Sequence, residues 1–160
     1  MCKSAIFNYE CNSFEQRTSS PEFELFKSIH LDISDYSYLW HLAKKYPHKL
    51  YQCYAVGKYL AEPMNQDEEL CEFCGRIFVN KLDHRLTACE NYTEMRENFW
   101  SCIVNTFPCQ FSVFLFNLEN ADFIKTLLGA PLNAITLNEE DYVKFLLVSL
   151  DFVYNCLSLT

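Results

Sequence analysis

The residues best suited to chemistry in this chain are three cysteines and one histidine that lie within twenty positions of one another. They occur in the order Cys71, Cys74, His84 and Cys89, which gives the spacing C-x2-C-x9-H-x4-C. A structural zinc site takes four tetrahedral ligands, and three thiolates with one imidazole complete it without leaving a position open for a reacting molecule. The spacing therefore predicts a Cys3His zinc knuckle that stabilises a fold, with zinc as the cofactor.

The complete arrangement is far less common by chance than either of its halves. The chain has nine cysteines in 160 residues, so random placement yields about 0.5 Cys-x2-Cys pairs. Both halves in order within twenty residues have a chance expectation on the order of 0.01. One alternative is two buried thiols, a surface histidine and an unrelated cysteine. Another is a thioredoxin-like redox pair, although no strand–helix–strand pattern surrounds Cys71 and Cys74.

Local geometry around these ligands can also be predicted. Gly75 follows the second cysteine directly, and a residue without a Cβ there lets the backbone fold back towards the sulfurs. A short helical turn over residues 82–87 would carry His84. Positions five apart are poorly aligned on a regular helix, so this turn must loosen before Cys89.

A second candidate site lies between Asp35 and Glu62, where the sequence contains no acidic residue. Lysines among tyrosines and a tryptophan suit phosphate contact with base stacking, which predicts RNA or DNA as a partner. The alternative is a solvated lysine face on two helices whose aromatic side chains belong to the core. The lysines are Lys44, Lys45, Lys49 and Lys58.

Composition and charge narrow the class of protein. Half of the residues are hydrophobic and 16% are aromatic, which favours a folded domain over a disordered chain. The formal net charge of −8 counts against strong non-specific nucleic-acid binding but allows a local basic surface. The first twenty residues lack a signal-peptide pattern, so an intracellular protein of the nucleus or cytoplasm is expected, without disulfides. The remaining cysteines are then buried or exposed thiols: Cys2, Cys11, Cys53, Cys102, Cys109 and Cys156.

Periodicity predicts a mainly α fold, a small helical domain with the zinc knuckle embedded in it. A polar tail is expected over 1–21, a helical segment over 22–62, the knuckle and a following helix over 63–107, and a helical segment packed on the rest over 108–160. Within the second segment, Phe23, Phe26 and Ile29 predict one helix, and two more are expected at about 36–46, ended by Pro47, and at about 48–60.

Two further helix starts can be assigned from capping residues. Asn91 with Glu94 three residues later predicts the start of a helix that stops before Pro108. Asn138 predicts the start of a long helix to about Cys156 that is apolar on nearly every side. A membrane span would place Lys144, Asp151 and Asn155 within one crossing, which is costly, so a buried helix is preferred and no membrane is expected as a partner.

The residues around the knuckle resemble the zinc-binding segment near the C-terminus of reverse transcriptases from non-LTR (LINE-type) retrotransposons. That segment typically shows C-x2-C-G, a variable loop, E-H-L-hydrophobic-x-x-C, and a helix with an arginine and a tryptophan. This chain has Cys71-Glu-Phe-Cys-Gly, then Asp83-His84-Arg-Leu-Thr-Ala-Cys89, then Arg96 and Trp100. The resemblance extends over about 22–107, including the helical linker with Tyr38-Leu39-Trp40 and Lys44-Lys45-Tyr46-Pro47.

The resemblance implies a region that helps a polymerase hold its template RNA or target DNA, with the rest of a reverse transcriptase as a partner and Cys71, Cys74, His84 and Cys89 as ligands. The family's aromatic-x-Asp-Asp motif is absent, as are HExxH, GxSxG and phosphate-binding glycine loops, so a non-catalytic remnant of a larger element is expected. Residues 71–100 hold four basic and five acidic residues, which disfavours nucleic-acid contact by the knuckle itself. The alternatives are a zinc-stapled protein-interaction or structural domain and, remotely, a cysteine-nucleophile enzyme.

Overall fold

A computed structural model describes residues 38–61, 67–130 and 137–158, apart from the side chains of residues 38, 40 and 61. The predicted polar tail over 1–21 and the predicted helix with Phe23, Phe26 and Ile29 lie outside the described residues. The first described helix, α1, spans Tyr38–Lys45. It ends before Pro47, as predicted, and Tyr46 leaves the helical region with φ −127° and ψ 79° because the proline ring restricts the residue before it.

The segment after Pro47 differs slightly from the prediction. Pro47–Lys49 forms a single 3-10 turn, and the helix expected from about His48 starts at Leu50. This helix, α2, spans Leu50–Ala61. The proline is well placed in the first turn of a helix, where its missing N–H has no intrahelical acceptor.

The segment with the four predicted ligands is built on a small hairpin that the sequence did not predict. Strand β1, Glu69–Leu70, pairs antiparallel with strand β2, Ile77–Phe78. A short helix α3, Lys81–Asp83, continues into a π-helical turn, His84–Ala88, and then a 3-10 turn, Glu90–Tyr92. Two-residue strands are too short to show an alternating pattern of apolar residues, so periodicity could not reveal them.

The helices after the knuckle follow the predicted pattern with one error. Helix α4 spans Thr93–Thr106 and ends before Pro108, as predicted. Asn91 is not its N-cap, because it lies inside the preceding 3-10 turn and no side-chain hydrogen bond caps this helix at Tyr92. Helices α5, Cys109–Phe116, and α6, Asn120–Leu127, follow.

The last described helix, α7, is the centre of the fold. It spans Glu139–Ser158, and Asn138 caps it as predicted, because its Oδ1 accepts a 2.8 Å hydrogen bond from the backbone N–H of Asp141. Helix α7 contacts α2, α4, α6 and the π-helical turn of the knuckle. Its inward side chains include Phe152, which stacks on Phe99 of α4 with ring centroids 4.5 Å apart.

The fold is therefore mainly α, with the Cys3His cluster embedded in it, as the sequence predicted. One connected core runs from α1 and α2 through the knuckle to α7. Within the described ranges, no helix is both long and apolar enough to cross a membrane.

Candidate metal centre

The four predicted ligands come together in one cluster. Cys71 and Cys74 lie in the turn that joins the two strands, His84 opens the π-helical turn, and Cys89 follows that turn directly. One ligand atom from each residue lies within 4.8 Å of every other. The arrangement can hold a metal ion.

The turn between the strands depends on Gly75. Its φ is +68°, in the left-handed region that L-residues with a Cβ rarely adopt. Its N–H donates a 2.9 Å hydrogen bond to the carbonyl oxygen of Cys71, and the N–H of Cys71 donates one of 2.9 Å to Arg76. A Cβ at Gly75 would meet nothing within 4 Å, so the position requires glycine for its backbone conformation and not for space.

The predicted loosening before Cys89 takes the form of a π-helical turn. The N–H of Cys89 donates a 2.7 Å hydrogen bond to the carbonyl oxygen of His84, five residues earlier. Asn80 starts the preceding helix α3, because its Oδ1 accepts from the N–H of Asp83 at 3.0 Å. Thr87 supports the wide turn by donating from Oγ1 to the carbonyl oxygen of Asp83 at 2.7 Å. The extra residue per turn brings His84 and Cys89 to the same side.

Two of the interatomic distances can be compared with those of a tetrahedral zinc site. Zn–S bonds of about 2.3 Å and Zn–N bonds of about 2.0 Å place tetrahedral ligands about 3.8 Å apart for two sulfurs and about 3.5 Å apart for sulfur and nitrogen. Sγ of Cys71 lies 3.7 Å from Sγ of Cys89, and Sγ of Cys74 lies 3.3 Å from Nε2 of His84. These two distances are compatible with a four-coordinate metal ion, and the other pairs of ligand atoms lie within 4.8 Å of one another.

The cluster is largely closed to solvent. Cys71, His84 and Cys89 are buried and Cys74 is half-buried. The ring of Phe78 stacks on the His84 imidazole with centroids 4.9 Å apart and planes 7° apart, which holds the imidazole in its orientation towards Cys74. The contact between Phe78 and His84 was not predicted from the sequence. A fully ligated, closed site stabilises structure and leaves no coordination position for a substrate.

The thiols of the cluster differ in their readiness to ionise. Burial opposes ionisation of Cys71, but hydrogen bonds from the backbone N–H groups of Cys74 and Phe73, with a smaller contribution from His84, lower its pKa to about 6. Burial, together with the neighbouring Cys71 and Cys74 thiols, raises the pKa of Cys89 to about 11. The backbone of the turn thus favours ionisation of Cys71, whereas burial and the neighbouring sulfurs oppose ionisation of Cys89. A divalent cation removes this conflict, because each thiolate then faces a positive charge.

Arg85 connects the π-helical turn to helix α7, and this contact was not predicted from the sequence. Its side chain is buried, lies over the ring of Tyr92 at 5.5 Å, and donates from Nη1 to the carbonyl oxygen of Cys156 at 3.0 Å. Arg96 of α4 in turn donates to the Arg85 carbonyl oxygen at 3.3 Å. The contact with α7 joins residues 71 positions apart, which no local sequence pattern could reveal.

The four lysines of the predicted nucleic-acid site have different surroundings in the structure. Lys44, Lys45 and Lys58 are exposed, whereas Lys49 forms a 2.5 Å ion pair with Asp151 of α7. The main role of Lys49 is therefore to join α7 to the residues before α2 within the chain. The other three lysines remain at the surface, where a phosphate group can approach them.

The aromatic residues of the same region do not all belong to the core. Tyr51 and Tyr54 of α2 are 70% and 66% exposed. This exposure contradicts the interpretation in which these two rings belong to the core. Tyr46 and Tyr59 are partly buried and pack against the core. The region thus presents both cations and accessible rings.

Comparison of this chain with protein-family models, curated proteins and solved structures gave no match.

Proposed function

We propose that this chain is a non-catalytic zinc-binding module, similar to the C-terminal zinc segment of a non-LTR retrotransposon reverse transcriptase, which contacts nucleic acid through α1 and α2. The observation that carries the proposal is the closed Cys3His cluster, with ligand atoms within 4.8 Å of one another. A site without an open coordination position supports structure and not catalysis.

Zinc is the metal that this donor set favours. Thiolates select soft or borderline ions, and a tetrahedral set of sulfur and nitrogen donors is typical of zinc. The hairpin needs such a staple, because Leu70, Phe73 and Ile77 are exposed and contribute little burial of their own. The free energy of metal binding then becomes free energy of folding for this segment.

The nucleic-acid contact is supported by the chemistry of one exposed surface. Tyr51, Tyr54 and Lys58 follow the i, i+3, i+7 spacing, so they lie along one side of α2, and all three are exposed. Lys44 and Lys45 form the exposed last turn of α1. Exposed rings stack on bases and lysines neutralise phosphates. No acidic residue occurs in the sequence between Asp35 and Glu62.

The first experiment measures the metal content of the purified full chain by elemental analysis. We expect about one zinc per chain, and Cys74→Ser should lose both the zinc and cooperative unfolding of the domain. The matched control is Cys109→Ser, because Cys109 is exposed and lies outside the cluster. A metal-free wild-type chain that unfolds as cooperatively as the zinc-loaded one would overturn the zinc assignment.

The second experiment measures binding of zinc-loaded protein to single-stranded RNA and DNA of mixed sequence over a range of salt. Three phosphate contacts predict a slope of log K against log salt of about −2 on single strands. Replacing Lys44, Lys45 and Lys58 together with glutamine should abolish most of this binding, and Tyr51→Ala with Tyr54→Ala should weaken it with little change in slope. Lys81→Gln, an exposed lysine of the knuckle, serves as the control.

Retention of zinc without any nucleic-acid binding would favour the second candidate function, a zinc-stapled structural or protein-interaction domain. The acidic balance of the chain, with a formal net charge of −8, favours that candidate, because most of the surface repels phosphate.

A further inference from the structure

The hairpin that carries Cys71 and Cys74 exposes an apolar surface that the metal site does not use. Leu70 and Ile77 are cross-strand partners, so their side chains lie on the same face of the hairpin. They are 67% and 66% exposed, and Phe73 and Val79 nearby in sequence are about half exposed. Together these are four of the ten large apolar side chains that are exposed in the described part of the chain.

The register of the hairpin explains why these side chains face outwards. Successive residues of a strand point to opposite faces, and Phe78 uses the inner face to stack on His84. Ile77, next to it, must therefore point away from the metal site. A one-residue change of register would bury Ile77 and lose the Phe78–His84 contact, so the apolar outer face is a consequence of the geometry that builds the site.

A groove lies beside this face, on the inner side of the hairpin, where Phe78 and His84 also line it. It has a volume of about 200 Å³, and Leu70 and Phe73 form part of its wall. The acidic side chains of Glu69 and Glu72 and the basic ones of Lys81 and Arg85 also line it. Arg85 already donates to carbonyl oxygens of α7, so its charge partly serves the chain itself.

The rim of this surface is predominantly acidic. Residues 67–79 contain one basic residue, Arg76, which is ion-paired with Glu90 at 2.7 Å. Four acidic residues of the same segment are exposed: Asp67, Glu68, Glu69 and Glu72. Glu69 is the cross-strand partner of Phe78 and lies on the inner side, so Glu68 and Glu72 are the acidic residues used to test the outer face. Such a rim repels phosphate and attracts lysine and arginine, so its charge complements a basic partner.

We propose that this hairpin face, consisting of Leu70, Phe73, Ile77 and Val79 with its acidic rim, docks a protein segment that carries apolar side chains beside lysine or arginine. Burial of the apolar side chains supplies the attraction, and the rim selects basic over acidic segments. The proposal requires a folded knuckle but no nucleic-acid binding by α1 and α2. Loss of one activity therefore leaves the other to be measured.

The experiment titrates zinc-loaded, 15N-labelled full chain with a short peptide of alternating leucine and lysine. A peptide of alternating leucine and glutamate is the matched probe. We expect NMR shift changes confined to residues 67–81 with the basic peptide and none with the acidic one. Fluorescence anisotropy should show at least tenfold weaker binding for Leu70→Ser combined with Ile77→Ser, and for Glu68→Lys combined with Glu72→Lys. Val113→Ser with Phe116→Ser is the control, since both side chains are exposed on α5.

Several outcomes would overturn the proposal. Equal binding of both peptides would show that the surface does not select basic over acidic segments. NMR shift changes on α5, or on α1 and α2, would show that the peptide binds elsewhere. If Leu70→Ser combined with Ile77→Ser loses its zinc, that variant cannot be used. The pattern of NMR shift changes in the unmutated chain then tests the proposal by itself. Concentration-dependent broadening of residues 67–81 without peptide would identify a second copy as the occupant. Retention on phosphatidylcholine–phosphatidylglycerol vesicles would identify a lipid surface instead.

Discussion

The guanidinium group of Arg85 donates from Nη1 to the carbonyl oxygen of Cys156 across 3.0 Å, linking the metal-binding turn to the end of helix α7. The same nitrogen lies 3.2 Å from the carbonyl oxygen of Leu157. The last four carbonyl groups of a helix have no intrahelical donor and carry the negative end of its dipole. Arg85, adjacent to the ligand His84, therefore caps α7 and couples the metal site to the core.

Replacing Arg85 with methionine should lower the free energy of unfolding of the zinc-loaded protein by about 2 kcal/mol, because two carbonyl groups lose a charged donor at a buried position. Urea denaturation followed by circular dichroism measures this change. Arg76→Met is the control, since the Arg76–Glu90 pair is exposed and such pairs contribute about 0 to 1 kcal/mol. Equal losses in the two variants would contradict a capping role for Arg85.

Two glycines should respond to alanine with opposite signs. Gly75→Ala forces a left-handed φ of +68° on a residue with a Cβ, which costs about 1 to 2 kcal/mol. Gly57 lies inside α2, and a Cβ there meets Cδ1 of Leu39 at 3.7 Å, an ordinary contact. Gly57→Ala should therefore raise the free energy of unfolding by about 0.5 to 1 kcal/mol. Urea midpoints of the zinc-saturated variants test both, and a stabilised Gly75→Ala would contradict the role assigned to the turn.

The features predictable from the sequence were those that short-range geometry controls. The ligand spacing identified Cys71, Cys74, His84 and Cys89, because the chain between them is too short to place them in many other ways. The same reasoning predicted the widened turn before Cys89 and the cap at Asn138. The widened turn and the cap each depend on residues within five positions of one another, and the four ligands lie within twenty positions.

Features that depend on tertiary packing could not be predicted in this way. The exposure of Tyr51, the ion pair of Lys49 and the cap that Arg85 provides all depend on where α7 lies. The wrong prediction of Asn91 as an N-cap, in contrast, concerns a local feature. A 3-10 turn from Glu90 to Tyr92 satisfies the backbone before α4 begins, so the capping pattern was present without being used.

Substitutions of Lys49 and of Lys45 should have different effects, the first mainly on stability and the second mainly on nucleic-acid binding. Lys49 Nζ lies 2.5 Å from Oδ1 of Asp151, so Lys49→Gln and Asp151→Asn should each destabilise the fold. A double-mutant cycle between them should give a coupling of about 0.5 to 1 kcal/mol, decreasing with salt. Lys45→Gln should weaken nucleic-acid binding and lower stability by at most about 1 kcal/mol, because Lys45 loses only an exposed contact with the Tyr46 ring, whose centroid lies 5.8 Å from its Nζ. If Lys49→Gln weakens that binding more than Lys45→Gln does, Lys49 contacts the nucleic acid despite its partner.

Chelation of the metal should expose at least the three thiols of the cluster, and also the buried Cys53 and Cys156 where loss of zinc opens the core. Coordinated sulfurs react slowly with Ellman's reagent, and the reactive form of cysteine is the free thiolate. Removing zinc with a strong chelator should therefore release Cys71, Cys74 and Cys89 together, with one zinc detected by a colorimetric dye. Cys109→Ser should lower the number of fast-reacting thiols by one in both states, because Cys109 is exposed. An unchanged thiol count after chelation would argue against coordination.

Cys156 should make the fold less stable as the pH rises above about 9. Burial raises the pKa of this thiol to about 12, and the nearby Arg96 and Arg85 only partly offset the increase. An unfolded thiol loses its proton near its ordinary value of 9.0, while the folded one keeps it. The unfolded state therefore binds fewer protons between these two values, and the free energy of unfolding falls by up to about 1.4 kcal/mol per pH unit. Chemical denaturation of zinc-loaded protein at about pH 8 to 10 should show a steeper decline for wild type than for Cys156→Ala. The exposed thiol variant Cys109→Ala should parallel the wild type, and parallel curves for all three proteins would refute this role for Cys156.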